Sequence, residues 1–217
     1  MRDPGIGLAL SGGGFRATLY NLGSLWRLND AGLLRGTARI TSVSGGSITS
    51  GALAFAWQRL TFDAAGRATN FAPLVADPLR AFCKRGVDVA AGLEGLFSLM
   101  DGISDRVMER YRDGLFGDAT LQDLPDDGAG PRFVFYATSL QTGSSVRLSK
   151  PYVADYRVGQ LPRPTLKLAQ VVAASSAFPP VLSPVVLKLD ADAWQRVEGA
   201  DLYDRRSLRE RLVLTDG

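Results

Sequence analysis

The chain has 217 residues, of which 46% are hydrophobic and 22% are charged, and its formal net charge is only +3. These values favour a single domain over residues 1–217 and do not indicate a nucleic-acid-binding protein, which usually carries a dense basic patch. The sequence contains no histidine, which excludes a Ser-His-Asp or Cys-His site within these residues. With one cysteine as well, the composition disfavours a zinc site, so we expect no metal and no cofactor.

Three features bear on the compartment. Cys83 is the one cysteine and cannot form an internal disulfide, which fits a reducing environment. The first residues show no charged leader followed by an apolar stretch and a cleavage site. No run of roughly 18 apolar residues indicates a transmembrane helix. We therefore expect a cytoplasmic protein that contacts a membrane peripherally.

The first predicted strand, Ile6–Leu10, ends at a glycine-rich turn. Gly12, Gly13 and Gly14 precede a helical stripe of apolar residues over 18–30. Without β-carbons, the amides of the turn can point at a ligand beside the positive end of the helix dipole. The turn is therefore a candidate site for a phosphate or an oxyanion, although a simple tight turn is the alternative.

A serine corner follows the second predicted strand, Arg39–Val43. Ser44 stands between this strand and a predicted helix over 47–60, with small neighbours on both sides. Such a corner is typical of a nucleophile elbow, whose usual pattern is G-x-S-x-G, although many such corners are only turns. The alternation of strand and helix predicts a βαβ unit, in which the glycine turn and the serine corner share one carboxyl edge.

The rest of the chain predicts further strands and helices. Residues 73–113 are expected to be helical and rather apolar, either as core helices or as a mobile cap that touches lipid. The remaining predicted elements are a strand over 133–138 with a hairpin partner over 144–148, a helix over 165–174, and strands over 185–189 and 212–215. Asp216 directly follows the last of these strands.

Four motifs, in order, resemble those of the patatin-like phospholipases. Gly12–Arg16 resembles the G-G-G-x-[RK] turn of the family, and Ser42–Gly46 resembles its nucleophile elbow with Ser42 in place of the first glycine. Ala174–Pro179 resembles its A-S-x-A-x-P segment, and Asp216-Gly217 resembles its D-G-[GA] motif. The resemblance implies an α/β fold, a three-layer α/β/α sandwich with a mainly parallel central sheet.

The resemblance also implies a function, a lipid acyl hydrolase acting on phospholipids or related acyl lipids through an acyl-serine intermediate. It makes Ser44 the nucleophile and Asp216 the base of a Ser-Asp dyad. The implied supporting residues are an oxyanion hole at Gly12, Gly13, Gly14, Phe15 and Arg16, elbow residues Ser42, Gly45 and Gly46, and pocket residues Ser175, Ala177, Phe178 and Pro179.

Asp216 is expected within hydrogen-bonding reach of Ser44. Parallel neighbouring strands would bring both residues to one edge of the sheet. Four other acids compete for the role of base: Asp190, Asp192, Asp201 and Asp204. Family chains continue past the D-G-[GA] motif, so we expect a continuation or a partner chain after Gly217 to complete the site. The alternative function is a catalytically incomplete lipid-binding or regulatory module of the same fold.

Overall fold

The structure, a computed structural model, describes residues 5–92, 103–178 and 182–217 of the chain. Within these ranges eight strands form one sheet. The strands are β1 (Ile6–Leu10), β2 (Thr37–Ser42), β3 (Arg132–Ser139), β4 (Ser145–Ser149), β5 (Tyr152–Asp155), β6 (Gly159–Pro162), β7 (Val185–Lys188) and β8 (Arg211–Thr215). The α-helices are α1 (Gly14–Asp30), α2 (Gly45–Ala56), α3 (Asp77–Gly92), α4 (Ile103–Tyr111), α5 (Leu168–Ser175) and α6 (Arg206–Glu210).

The sheet is mixed, with a parallel part at its core. β1 pairs with β2 and β2 pairs with β3 in parallel. The pairs from β3 through β4 and β5 to β6 are antiparallel, as are those of β8 with β3 and β7. Helix α2 packs on β1, β2 and β3, whereas α5 packs on β3, β7 and β8. The predicted α/β fold with helices flanking the sheet is therefore confirmed.

The apolar residues of the strands explain where the core lies. Side chains at alternate positions of β3, including Phe133, Phe135 and Ala137, are buried on one face of the sheet. Helix α2 is buried along most of its length, which fits a sequence made mainly of small and apolar residues. Strand and helix boundaries differ from the predicted ones by a few residues, and α1 begins directly at Gly14.

The arrangement of β2 and β8 differs from the expected one. Phe135 of β3 pairs with Ser42 of β2 on one side and with a β4 residue on the other. Thr138 of β3 likewise pairs with Thr215 of β8 opposite β4. Strands β2 and β8 therefore occupy the same edge of β3 and run towards each other. They are not parallel neighbours, and their carboxyl ends meet because the two strands point at each other along that edge.

The described part of the segment 73–113 is helical. A π-helical turn at Ala72–Ala76 leads into α3, and a second such turn at Arg112–Phe116 follows α4. Residues 93–102, on which part of the predicted cap falls, lie outside the described residues. Among the helices that the structure describes, none is long and apolar enough to span a membrane.

Candidate active site

Ser44 stands in a strained backbone conformation between β2 and α2. Its φ of 51° and ψ of −126° lie in a region that residues with a β-carbon rarely adopt. Such a conformation costs on the order of 1–3 kcal/mol and persists only where the surroundings enforce it. A β-carbon at Gly45 would lie 2.2 Å from the carbonyl oxygen of Gly14, and one at Gly46 would lie 2.4 Å from that of Leu10. The glycines thus let the corner pack directly against the backbone of β1 and its turn.

The glycine turn lies beside this corner. A β-carbon at Gly12 would be 2.9 Å from Cβ of Ser44 and 3.6 Å from its Oγ. Gly13 and Gly14 have φ values of 131° and 61°, which favour glycine. The N–H groups of Gly13 and Gly14 donate no hydrogen bond to the residues that the structure describes. They lie at the positive end of α1, so they are available to an oxyanion.

Asp216 lines the same cavity as the glycine turn and Ser44, and its carboxyl group interacts with the side chain of Ser44. Burial raises the pKa of its carboxyl group above the ordinary value of 3.8. A side-chain hydrogen bond with Ser44 and the backbone N–H of Gly217 act in the opposite direction and lower that pKa. A partly buried carboxylate with a raised pKa is a stronger base than one in water, and the hydroxyl of Ser44 is its neighbour.

The segment predicted to line the pocket divides into buried and cavity-facing residues. Ser175 and Ala177 are 0% and 1% exposed, and neither lines the cavity. Ser176 and Phe178 line the cavity instead, and Phe178 is 58% exposed at its edge. Pro179 lies outside the described residues.

A buried cluster of hydroxyl groups lies next to the corner and explains why serine, not glycine, stands at position 42. Ser175 Oγ donates to the carbonyl oxygen of Tyr136 at 2.6 Å. Ser47 Oγ contacts Ser175 Oγ at 2.8 Å and Ser42 Oγ at 3.0 Å, so it shares its proton between them. Ser42 is 3% exposed and supplies an acceptor that the usual glycine could not.

Ser44 opens into a cavity of about 960 Å³. Its apolar lining residues are Phe15, Val43, Ile48, Phe82, Val107, Tyr111, Phe178 and Leu182. Arg16 and Arg110 also line it, and neither forms an ion pair with a residue that the structure describes. Asp216 is the only acidic residue on the described wall. The cavity therefore combines an apolar interior with two cationic groups.

The sequence did not identify Tyr111, Phe82 or Arg110 as residues of this cavity. They come from α3 and α4, in the segment whose sequence indicated only apolar helices. Tyr111 is buried, and burial raises the pKa of its phenol to about 12. Nothing in the spacing of these residues pointed to the cavity, because their approach depends on tertiary packing.

The four competing acids lie away from Ser44. Asp192, Asp201 and Asp204 each form an ion pair at the surface, with Arg206, Arg157 and Arg196 respectively. Asp190 caps a short helical turn by accepting from the N–H of Asp192. Among the described residues, no group of three or more His, Cys, Asp or Glu side chains could hold a metal ion.

Comparison with known proteins extends what the geometry indicates. A family model described as patatin-like phospholipase matches residues 8–204. The chain belongs to the patatin-like phospholipase family. The matched range includes the glycine turn, the serine corner and the 175–178 region, and it ends before Asp216. A comparison with curated proteins gave no significant match.

Solved structures with similar folds include phospholipases. Human GIVD cytosolic phospholipase A2, in complex with a fluorophosphonate inhibitor and terbium chloride, is 18% identical, with 98% of this chain and 35% of that chain covered and a TM-score of 0.49. VipD from Legionella pneumophila is 15% identical, and the alignment covers 99% of this chain and 46% of VipD with a TM-score of 0.46. ExoU, in the ExoU–SpcU complex of Pseudomonas aeruginosa, is 18% identical, and the alignment covers 82% of this chain and 37% of ExoU with a TM-score of 0.45. The chain spans less than half the length of each of these chains.

Proposed function

We propose that the chain is a serine lipid acyl hydrolase in which Ser44 is the nucleophile and Asp216 is the general base. The observation that carries the proposal is the position of Ser44. It occupies a strained corner, its hydroxyl faces a partly buried carboxylate, and both groups open into one apolar cavity. Membership of the patatin-like phospholipase family supports hydrolysis of lipid esters.

The proposed reaction begins when Asp216 accepts the proton of Ser44 as its oxygen attacks the ester carbonyl. The amides of Gly13 and Gly14 donate to the oxyanion of the tetrahedral intermediate. One such donor is typically worth about 2.7–4 kcal/mol of the barrier. The leaving alcohol takes the proton from Asp216, and an acyl ester of Ser44 remains. Water then attacks this ester while Asp216 accepts its proton. The bond between the acyl carbon and Ser44 Oγ breaks, the proton returns from Asp216 to Ser44 Oγ, and the fatty acid is released.

The shape and charge of the cavity support an acyl lipid with an anionic headgroup as the substrate. Apolar side chains from α1, α3 and α4 provide contacts for an acyl chain, and Arg16 and Arg110 are available to an anion such as phosphate. We propose that the segment 73–113 acts as a cap, since Phe82, Val107 and Tyr111 form part of the cavity wall. Contact with a membrane surface belongs to the same proposal.

A fluorophosphonate probe tests the chemistry directly, because labelling requires an activated serine. The wild-type chain should be labelled and should hydrolyse a short-chain p-nitrophenyl ester, whereas Ser44→Ala and Asp216→Asn should do neither. Ser24→Ala and Asp204→Asn are matched controls on the surface and should behave as the wild type. Equal labelling of Ser44→Ala and wild type would refute the assignment of the nucleophile. A folded wild-type chain that is never labelled would favour a lipid-binding module.

A further inference from the structure

The backbone of the segment from Ser175 to Ala177, referred to below as the 175–177 segment, holds both Ser44 and Asp216. The N–H of Ser44 donates to the carbonyl oxygen of Ser175 at 3.0 Å. The N–H of Asp216 donates to the carbonyl oxygen of Ala177 at 3.1 Å. Thr215 Oγ1 donates to the same carbonyl at 2.7 Å. Two carbonyl groups in one short segment thus fix the backbones of the proposed nucleophile and base relative to each other.

The middle residue of this segment is tied to α4. Ser176 Oγ donates its one proton to the carbonyl oxygen of Val172 at 2.6 Å. The hydroxyl of Tyr111, 3.1 Å away, must therefore be the donor in its contact with Ser176 Oγ. Tyr111 is the last residue of α4 and is only 6% exposed. Its ring packs against Phe82 and Phe116, with centroid distances of 5.6 and 6.3 Å.

We propose that Tyr111 is a positioning residue that holds the 175–177 segment, and through it the relative placement of Ser44 and Asp216, by donating to Ser176. This inference rests on the proposed function, because the placement matters for a Ser-Asp dyad. Helix α5 ends at Ser175, and the N–H of Ser176 still donates to the carbonyl oxygens of Val172 and Ala173, both at 3.1 Å. The Tyr111 hydroxyl adds a hydrogen bond to this segment from a separate helix. A displacement of about 1 Å between reacting groups can lower a rate by about 10²-fold. One hydrogen bond from a buried, ring-packed tyrosine therefore has a measurable effect on turnover.

The variant Tyr111→Phe removes the donor and keeps the ring. Its matched control is Tyr203→Phe, since Tyr203 donates to the carbonyl oxygen of Trp194 at 2.9 Å and does not line the cavity. With a small soluble ester, Tyr111→Phe should lower kcat by about tenfold and leave KM nearly unchanged, whereas Tyr203→Phe should change neither. Ser176→Ala should lose at least as much, because it also removes the hydrogen bond to Val172. The double variant with Tyr111→Phe should be no worse than Ser176→Ala alone, because the Tyr111–Ser176 hydrogen bond is already absent there.

Amide hydrogen exchange gives a readout that does not depend on activity. Tyr111→Phe should speed exchange at the amides of Ser44 and Asp216, and Tyr203→Phe should leave both unchanged. Unchanged exchange in Tyr111→Phe would overturn the inference, and so would faster exchange with a normal kcat. Additive losses in the double variant would also overturn it. Failure of the wild type to react with the fluorophosphonate would instead refute the proposed function, while exchange would still decide whether Tyr111 holds the segment.

Discussion

Replacing Gly46 by alanine should destabilise the protein, because the corner packs too closely against β1 for a methyl group. The added Cβ would lie 2.4 Å from the carbonyl oxygen of Leu10, 2.7 Å from its carbonyl carbon and 2.8 Å from the carbonyl oxygen of Ser11. All three atoms belong to the backbone at the end of β1, so none can move aside by rotating a side chain. Either β1 or α2 must shift to make room.

The size of the effect follows from two opposing contributions. Overpacking typically costs about 1–3 kcal/mol, and contact with three backbone atoms places this site at about 3 kcal/mol. Alanine is more favourable than glycine in a helix by about 1 kcal/mol, and this gain offsets part of the cost. The free energy of unfolding should therefore fall by about 2 kcal/mol. For a domain of this size, that lowers the Tm by about 4–8 °C.

Thermal unfolding followed by far-UV circular dichroism measures this change. Gly23→Ala is the matched control, because Gly23 lies on the exposed side of α1 and its Cβ would meet nothing within 4 Å. The free energy of unfolding of Gly23→Ala should rise by about 1 kcal/mol because of helix propensity, a change opposite in sign to that of Gly46→Ala. A Tm of Gly46→Ala equal to or above the wild-type value would show that the corner is not packed against β1 as described.

Three further predictions concern the site itself. Gly12→Ala should reduce esterase activity by about 10²-fold, since its Cβ would lie 2.9 Å from that of Ser44 and crowd it. It should also destabilise the fold, though less than Gly46→Ala, whose contacts are shorter. A normal rate in a folded variant would contradict this. Ser42→Gly should lower the free energy of unfolding, measured in urea, by about 1–2 kcal/mol, because Ser47 loses an acceptor and the strand gains a flexible residue. An unchanged free energy of unfolding would show that the Ser42 hydroxyl does not stabilise the fold. In the pH profile of kcat/KM, the fall on the acid side should have its midpoint above pH 3.8, because burial raises the pKa of Asp216 above 3.8. The carboxylate acts as the base above its pKa and is lost by protonation below it. A midpoint at or below 3.8 in a chain that remains folded would argue against Asp216 as the base.

The parts of the site that the sequence could predict are those set by local backbone geometry. The glycine turn and the corner at Ser44 need small residues at particular positions, because the chain turns sharply and packs backbone against backbone there. Asp216 could be singled out because it directly follows an apolar strand. In each case the requirement falls on a few neighbouring residues, so it leaves a motif.

The parts that the sequence could not predict depend on contacts between distant segments. The antiparallel pairing of β8 with β3 is invisible in the apolar pattern of β8, since a buried strand has similar residues in either direction. The 175–177 segment acts mainly through main-chain carbonyls, which every residue has. Tyr111 reaches Ser176 from α4, and no spacing along the chain signals such a contact.

The meeting of β2 and β8 along one edge of β3 has a consequence for folding. Ser44 follows the second strand of the sheet, whereas Asp216 follows the eighth, and the ladder between β8 and β3 contains only two residue pairs. Contacts between such distant segments form slowly, because a long loop must close first. A chain emerging from the ribosome therefore carries Ser44 well before Asp216 arrives. Until β8 docks, the newly made protein has no Asp216 beside Ser44, so under the proposed function hydrolysis would begin only as the fold is completed.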